Sequence, residues 1–564
     1  MSVFIGYPSF MAYQMMKGKK GNNDGFPSIP GMIARYSALG LTNEQMAANP
    51  VWVDETGNGH DLQMKNFLWS GMSGVGGYTE NYNSNKWYKT ESRIDATWTY
   101  KSFNARSIKD NRSAQLFYQS SPSDTGFRVL SCTIKVSGLT DGQGIEYVSN
   151  GTQQFVIMRI ENDGIYHLPS FDFGAKNAYY GFKFLKLQES CNITIEQLPL
   201  YPGFILGDGV DDFAVTEKEL NFEDTYTVYT AFIPFQDNPT RNMILCGADS
   251  KKTFSMQYSS LVYVFFIAGN NYYITADFVN GLNLFACKRN GNNICIKNLL
   301  TNKVVTGTCG DWVENAGLYY LWKSATYASF ARAGIAGQII ANGHFTTDEE
   351  DENILNWHKK QYPWLFPYQA WTVVGKTNED EDRTTIANIT GNGNNLVLSN
   401  FGFIEGSGYN KEGEYAGYLV TDGVDDMIGS SIFEIGKDFT IIGEWKFMDN
   451  IIANAGISKA LSLFVYNTNN GLRIFINNTT KGPVLNTKTL KAICSDGRVY
   501  SDDWSEMIVN EEQPITSSKS SLLIGINGNN FAKIALKNLA IYNQILSKDD
   551  CIKAYNYLQT LKAK

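Results

Sequence analysis

The carboxylates of this chain are its residues best suited to chemistry, and they fall in three settings. The first is a turn that occurs twice, as Asp208-Gly209-Val210-Asp211-Asp212 and as Asp422-Gly423-Val424-Asp425-Asp426. Three aspartates in five positions can gather oxygen ligands around a hard cation such as calcium. The same residues suit a tight turn, with Asp side chains accepting backbone N–H bonds and Gly209 and Gly423 at positive φ. Both readings stand at this point, and recurrence favours a need of the fold. The second setting is Glu444 in Gly443-Glu444-Trp445-Lys446-Phe447, alone among apolar neighbours in sequence. The third is the run from Asp348 to Glu352, at an expected helix start, where acids favour the helix dipole. Retaining glycoside hydrolysis needs two carboxylates about 5–5.5 Å apart. Strand alternation would supply them as a spaced set on one face. No strand-like run carries such a set, so catalytic residues are expected to be none.

Aromatic side chains beside Asn/Gly loops are the other chemical signal. Trp69, Trp371, Tyr409, Trp504 and the pair Tyr272–Tyr273 all have this setting. Such rings can stack on the C–H face of a sugar, while nearby amides read its hydroxyls. They can equally pack in a core or across a subunit seam. Only four histidines occur, His60, His167, His344 and His358, which is thin material for His-based metal or acid–base sites. The eight cysteines include no CxxC pair and are expected as buried thiols. Phosphate-loop, zinc-protease and nucleophile-elbow motifs are absent from the sequence.

The elements that must position these groups repeat along the chain. Thr56-Gly57-Asn58-Gly59-His60-Asp61-Leu62 matches Thr390-Gly391-Asn392-Gly393-Asn394-Asn395-Leu396, with Gly391 334 positions after Gly57. The two aspartate turns lie 214 positions apart. Each is followed by an alternating strand pattern, Tyr226 to Phe232 and Phe439 to Trp445. A third pair, Ile339 to Glu349 and Ala540 to Asp550, is 201 positions apart. It ends in Thr346 with Glu349 and Ser547 with Asp550, at the spacing of a helix N-cap and N3. A short helix is expected after each, pinned to its sheet by Ile354 and Trp357 or by Tyr555 and Leu558.

The difference between the first two offsets places an insertion of 120 residues, about 81–200, in the first copy. Within it, Phe127 to Val136, Phe155 to Ile160, Gly181 to Leu187 and Cys191 to Glu196 read as strands, with turns at Asp141-Gly142 and Asp163-Gly164. The expected fold class is all-β: two β-sandwiches, the first interrupted by a nested small β-sandwich. The expected units are residues 1–30 (a leader), 31–80 with 201–365, 81–200, and 366–564.

Composition supports this organisation. Of 564 residues, 33 are Phe, 32 Tyr and 51 Gly, while only 18% are charged. Aromatics and glycines with few charges suit sheets joined by tight turns. The net charge of −8 and the missing basic stripe argue against a nucleic-acid partner. No apolar run is long enough to suggest a membrane span. The first twenty residues place their basic residues after the apolar part, so no ordinary secretion signal is expected.

The three motifs in fixed order, occurring twice, resemble the concanavalin A-like, laminin-G-like jelly roll. The resemblance covers about 31–80 with 201–365, and again 366–564. The segments FLWSGMSGVGG (67–77), CNITIEQLPLYPG (191–203) and YLVTDGVDD (418–426) look like large virion proteins of gut Bacteroidales tailed phages, including crAss-like phages. That resemblance implies a non-enzymatic structural protein of a tail or head fibre, located in the virion and assembled in the host cytoplasm. It implies lectin-like modules that bind host glycan, homo-oligomers, and other virion proteins as partners; residues 1–30, whose apolar stretch Val3 to Met16 has no evident home, are the expected docking segment, or else an arm packed on its own domain. It implies no obligatory cofactor, with calcium as the one candidate at the aspartate turns. The alternatives are a glycan-degrading depolymerase, which needs a carboxylate pair, and a bacterial surface adhesin, which needs an export signal.

Overall fold

The computed structural model describes residues 25–79, 82, 87–89, 94–107, 112–119, 128–150, 154–172, 179–187, 191–235, 243–248, 254–259, 261–266, 273–279, 281–312, 315–323, 330–391, 393–411, 415–448, 456–459, 463–468, 471–476, 489–508, 518–527 and 530–563. Tyr272 and most of the 1–30 leader lie outside these residues. The described chain is antiparallel β-sheet throughout, with only three α-helices, Asn43–Ala48, Asp348–Gln361 and Lys548–Gln559.

Two large sandwiches have the same strand order. In sandwich one, a sheet runs Lys303–Thr308, Asn293–Asn298, Asn283–Asn290, Thr225–Pro234, Arg332–Asn342, Ile205–Asp208, Gly74–Val75, with Met32–Ser37 also on Arg332–Asn342. In sandwich two the order is Glu506–Ile508, Arg498–Ser501, Thr489–Cys494, Thr440–Phe447, Ile534–Tyr542, Leu419–Val420, Gly408–Tyr409, with Gln369–Thr372 on Ile534–Tyr542. The opposing sheets correspond as well, from Val51–Trp52 to Val262–Phe265 in one and from Thr385–Ile386 to Gly471–Ile476 in the other. Sandwich one carries one more strand at that edge, Tyr273–Ala276, which has no counterpart among the described residues of sandwich two.

The repeated motifs fold into repeated hydrogen bonds. Asp54 Oδ1 accepts from Thr56 N at 3.0 Å, and Thr56 Oγ1 donates to Ile33 O at 3.2 Å. Asn388 Oδ1 accepts from Thr390 N at 2.9 Å, and Thr390 Oγ1 donates to Tyr368 O at 3.3 Å. An acceptor oxygen is all this loop needs, so Asp in one copy and Asn in the other both serve. Asn43 and Asn378 likewise clamp Val75 and Tyr409, accepting from their N–H groups at 2.6 and 2.7 Å.

Residues 87–197 form their own two-sheet unit. One sheet runs Gly164–Leu168, Cys132–Ser137, Asn192–Gln197, Ser102–Ser107, Ile94–Trp98. The other runs Gln154–Ile160, Gly144–Asn150, Tyr179–Leu187, Arg112–Gln119, Trp87–Lys89. Their inner faces share a core that includes Phe103, Ile134, Ile145, Phe182 and Ile193. Inner and outer residues alternate along the strands, as a sandwich of two layers requires.

The outer faces of the two long sheets are covered rather than solvated. One apolar cluster runs from Tyr229, Leu284 and Ile339 of sandwich one, through Ile354, Trp357, Tyr555 and Leu558 of the two long helices, to Ile442, Ala492 and Tyr542 of sandwich two. Tyr557 Oη accepts from Leu282 N at 2.8 Å, and Tyr542 Oη donates to Trp364 O at 2.9 Å. The sandwiches therefore brace each other through their helices.

The first long helix begins one residue later than its motif suggested. Thr347, not Thr346, is the N-cap, and it forms a capping box with Glu350. Thr346 turns inward instead, where its Oγ1 lies 2.8 Å from Tyr229 Oη. Ser547 caps the second helix as expected, accepting from Asp550 N at 3.1 Å. Replacing either cap by Ala should lower stability by about 1 kcal/mol. Chemical denaturation of Thr347→Ala and Ser547→Ala measures this, and a near-zero change would contradict the capping roles.

The two helices are fastened to their sheets at matching points by different chemistry. In sandwich one, Lys288 Nζ donates to Asp351 Oδ2 at 2.7 Å, and Lys297 Nζ approaches the same oxygen at 3.0 Å. At the matching places in sandwich two, Cys494 and Cys551 are both fully buried thiols.

Candidate functional site

The aspartate turns are built alike in both copies. Asp208 and Asp422 accept from Val210 N and Val424 N, each at 2.7 Å, closing the turn around Gly209 at φ 80° and Gly423 at φ 79°. Asp212 and Asp426 point inward. Asp212 accepts from Ser73 Oγ at 3.0 Å and from Asp208 N at 2.9 Å; Asp426 accepts from Ser407 Oγ at 3.1 Å and from Asp422 N at 2.7 Å. Burial pushes the Asp212 carboxyl up to about 7 and raises that of Asp426. The serines in turn accept from Leu68 N and Gly402 N, each at 2.8 Å. Each buried carboxylate thus ties the turn to the glycine-rich loop across the sandwich end.

Carboxylate oxygens of each triad lie within 4.8 Å of one another, close enough for calcium. Yet both oxygens of Asp212 and of Asp426 already hold hydrogen bonds, and Asp211 and Asp425 point outward. The turn is satisfied by its own backbone and serine. Chelation of calcium with EGTA is therefore expected to leave the melting temperature unchanged. Ser73→Ala and Ser407→Ala should each cost about 1–3 kcal/mol, because each leaves a buried carboxylate short of a donor. A calcium-dependent gain of about 2.7 kcal/mol, expected for an ion at a hundred times its Kd, would contradict this reading.

Glu444 is not alone in space. It lies on the outer face of strand Thr440–Phe447, next to Asn538 on Ile534–Tyr542, and is 7% exposed. Tyr418 Oη donates to its Oε1, and Lys537 Nζ stands 3.5 Å from its Oε2. Burial would raise its carboxyl, but Lys537 and Lys491 with the Tyr418 bond hold it well below the usual carboxylate range. Lys491, pushed down to about 8 by burial, donates to Tyr555 Oη at 2.6 Å. His167 of the inserted unit sits edge-on to the Tyr555 ring at 5.6 Å, and burial pushes it down to about 3. The insert is thereby seated on sandwich two, and Ile165 N donates to Asp503 O at 3.2 Å beside it. The sequence hid this cluster because its members come from six separate segments.

The aromatic candidates separate sharply. Trp371, Tyr409 and Trp504 are 1%, 3% and 2% exposed, so they are core side chains rather than platforms. Carbonyls distant in sequence take the polar atoms of the first two: Trp371 Nε1 donates to Asn394 O at 2.7 Å and Tyr409 Oη to Arg383 O at 2.9 Å. Trp504 packs edge-on against Tyr555 at 5.7 Å. Trp69 is half-buried and stacks on Phe67 at 5.0 Å. Its left-handed φ of 53° is matched by Phe403 at 52°, so its placement follows the shared loop. Tyr273 is 52% exposed.

No family model matches the chain, and no curated protein matches it. Among solved structures, it is similar to the binding domain of botulinum neurotoxin serotype D/C at 9% identity, over 59% of this chain and 89% of that one, with a TM-score of 0.26. A botulinum neurotoxin type C structure, whose cell entry is described as dependent on two ganglioside molecules, aligns at 10% identity over 58% and 86%, with a TM-score of 0.25. At these values the likeness carries no argument for this chain. The class stated here, an all-β chain of antiparallel sandwiches, rests on its own sheet topology.

Proposed function

We propose that this chain is a non-enzymatic virion protein of the tail- or head-fibre type, built on concanavalin A-like jelly rolls that hold position and bind host-surface glycan. The observation that carries the reading is the covered pair of long sheets. The strand face that bears Glu444 is closed by helix Lys548–Gln559 and by the inserted unit, and Glu444 itself is fixed by Tyr418 and Lys537. A substrate sugar meets no open carboxylate there. Two sandwiches and an insert clamped together make a stiff spacer, which is what a fibre requires. Residues 1–30 are the proposed attachment segment to other virion proteins. Several copies on one particle would turn weak glycan contacts into avidity.

Two observations test the proposal together. Antibody against the chain should decorate an appendage of tailed particles in electron micrographs. Incubation of the purified chain with host capsular polysaccharide should release no reducing ends. Undecorated particles would remove the virion reading, and released reducing ends would make the chain a depolymerase. No helix among the described residues is long and apolar enough to cross a membrane.

A further inference from the structure

We infer that the outer face of strands Ser255–Tyr258, Val262–Phe265 and Tyr273–Ala276 is a binding site for a neutral saccharide, stacked on Tyr263, Phe265 and Tyr273. The inference rests on the glycan-binding part of the proposal above and gives it a place. Strand register builds the face as a lattice of two rows. Ser255, Phe265 and Tyr273 stand side by side, and Gln257, Tyr263 and Thr275 form the adjacent row. The intervening residues Met256, Tyr258, Val262 and Val264 point the other way, into the core of sandwich one. Alternation therefore commits all six to the outside.

The three rings form one group. Tyr273 lies 5.3 Å from Phe265 and 6.0 Å from Tyr263, centroid to centroid. All three rings are partly exposed, Tyr273 by 52%. Exposed rings that touch each other across strands are held rigid by the ladder, so little ordering cost falls on binding. The other three residues of the lattice bring a hydroxyl, an amide and a second hydroxyl, from Ser255, Gln257 and Thr275. These are donors and acceptors suited to sugar hydroxyls. None of these six side chains is charged, which matches a neutral ligand.

The test uses the full chain and saturation-transfer difference NMR with methyl β-galactoside, lactose and N,N′-diacetylchitobiose as probes. At least one is expected to receive saturation, strongest on the protons of its apolar face. Tyr273→Ala should weaken that binding about tenfold, the size of one lost aromatic stacking contact. Tyr273→Phe should retain it, since the ring rather than the hydroxyl does the stacking. Leu68→Ser, at an exposed residue on the sandwich end, serves as the control that leaves binding unchanged. The inference is overturned if no probe is saturated, or if Tyr273→Ala and Phe265→Ala bind as the parent does. It is also overturned if Tyr273→Ala instead converts an oligomer to monomers by light scattering, which would make the face a subunit seam. Particle decoration is read separately, so a virion protein without this site and a site on a non-virion protein give different results.

Discussion

Asp351→Ala lowers the stability of the full chain by about 3–5 kcal/mol, the usual loss when one member of a buried ion pair is removed. Asp351 is 1% exposed, and Lys288, whose ammonium it neutralises, is 3% exposed. Lys288 Nζ also donates to Thr346 O at 2.8 Å, and Tyr229 Oη donates to Asp351 Oδ1 at 2.7 Å. The alanine takes an acceptor from two ammonium groups, Lys288 and Lys297, from the Tyr229 phenol and from the Thr346 hydroxyl, which donates to Asp351 Oδ1 at 3.3 Å, all under the helix that joins the two sandwiches. The cost is an uncompensated charge and not the loss of packing. Replacing both members, as Lys288→Met with Asp351→Leu, should therefore recover most of the loss. In sandwich two these same two places are filled without charge, by the buried thiols of Cys494 and Cys551. Urea denaturation of the single and double variants checks this. Equal destabilisation of both would contradict it.

Acidification loosens the seat of the insert on sandwich two. His167 stays neutral in the folded chain down to about pH 3, because burial disfavours its charged form. In the unfolded chain it takes up a proton near its ordinary value of 6.5. Between those values the unfolded state holds one more proton, so stability falls as pH falls, by about 1.4 kcal/mol per pH unit. His358, pushed down to about 4 by burial, acts in the same sense. Asp212 opposes them, since its raised carboxyl keeps a proton in the folded state that the unfolded state has lost. The groups facing His167 are Glu444, Lys537, Lys491 and Lys446, with Thr133 Oγ1 at 3.2 Å from its Nδ1. The His167 share is isolated by comparison with His167→Gln, which cannot titrate. Between pH 6 and pH 4 the parent should lose stability more steeply than this variant, by about 1.4 kcal/mol for each pH unit. Parallel curves would contradict the assignment.

Much of the architecture was legible because repeats carry their own alignment. The offsets of 334 and 214 placed the insertion, and its four expected strands appear as Cys132–Ser137 with Arg128–Val129, Gln154–Ile160, Tyr179–Leu187 and Asn192–Gln197. The helix pins Ile354, Trp357, Tyr555 and Leu558 are all buried. What misled was neighbourhood in sequence. Trp371, Tyr409 and Trp504 stand beside Asn/Gly loops, but their rings turn into the core, where partners distant in sequence, Asn394, Arg383 and Tyr555, meet them. Thr346 and Thr347 both fit the cap spacing, and only the buried Asp351 decides which of them turns inward. Glu444 looked isolated because Tyr418, Lys491, Lys537 and His167 reach it from other strands and from the insert. The Tyr263 and Phe265 half of the aromatic face lay inside the most apolar run of the chain, where alternation was hidden by apolar residues on both faces.

The proposed role stands most directly on the protein content of the particle. Quantitative mass spectrometry of gradient-purified tailed phage should find this chain in fixed stoichiometry with the other virion proteins, at several copies per particle. Its absence from particles that infect normally would contradict the account.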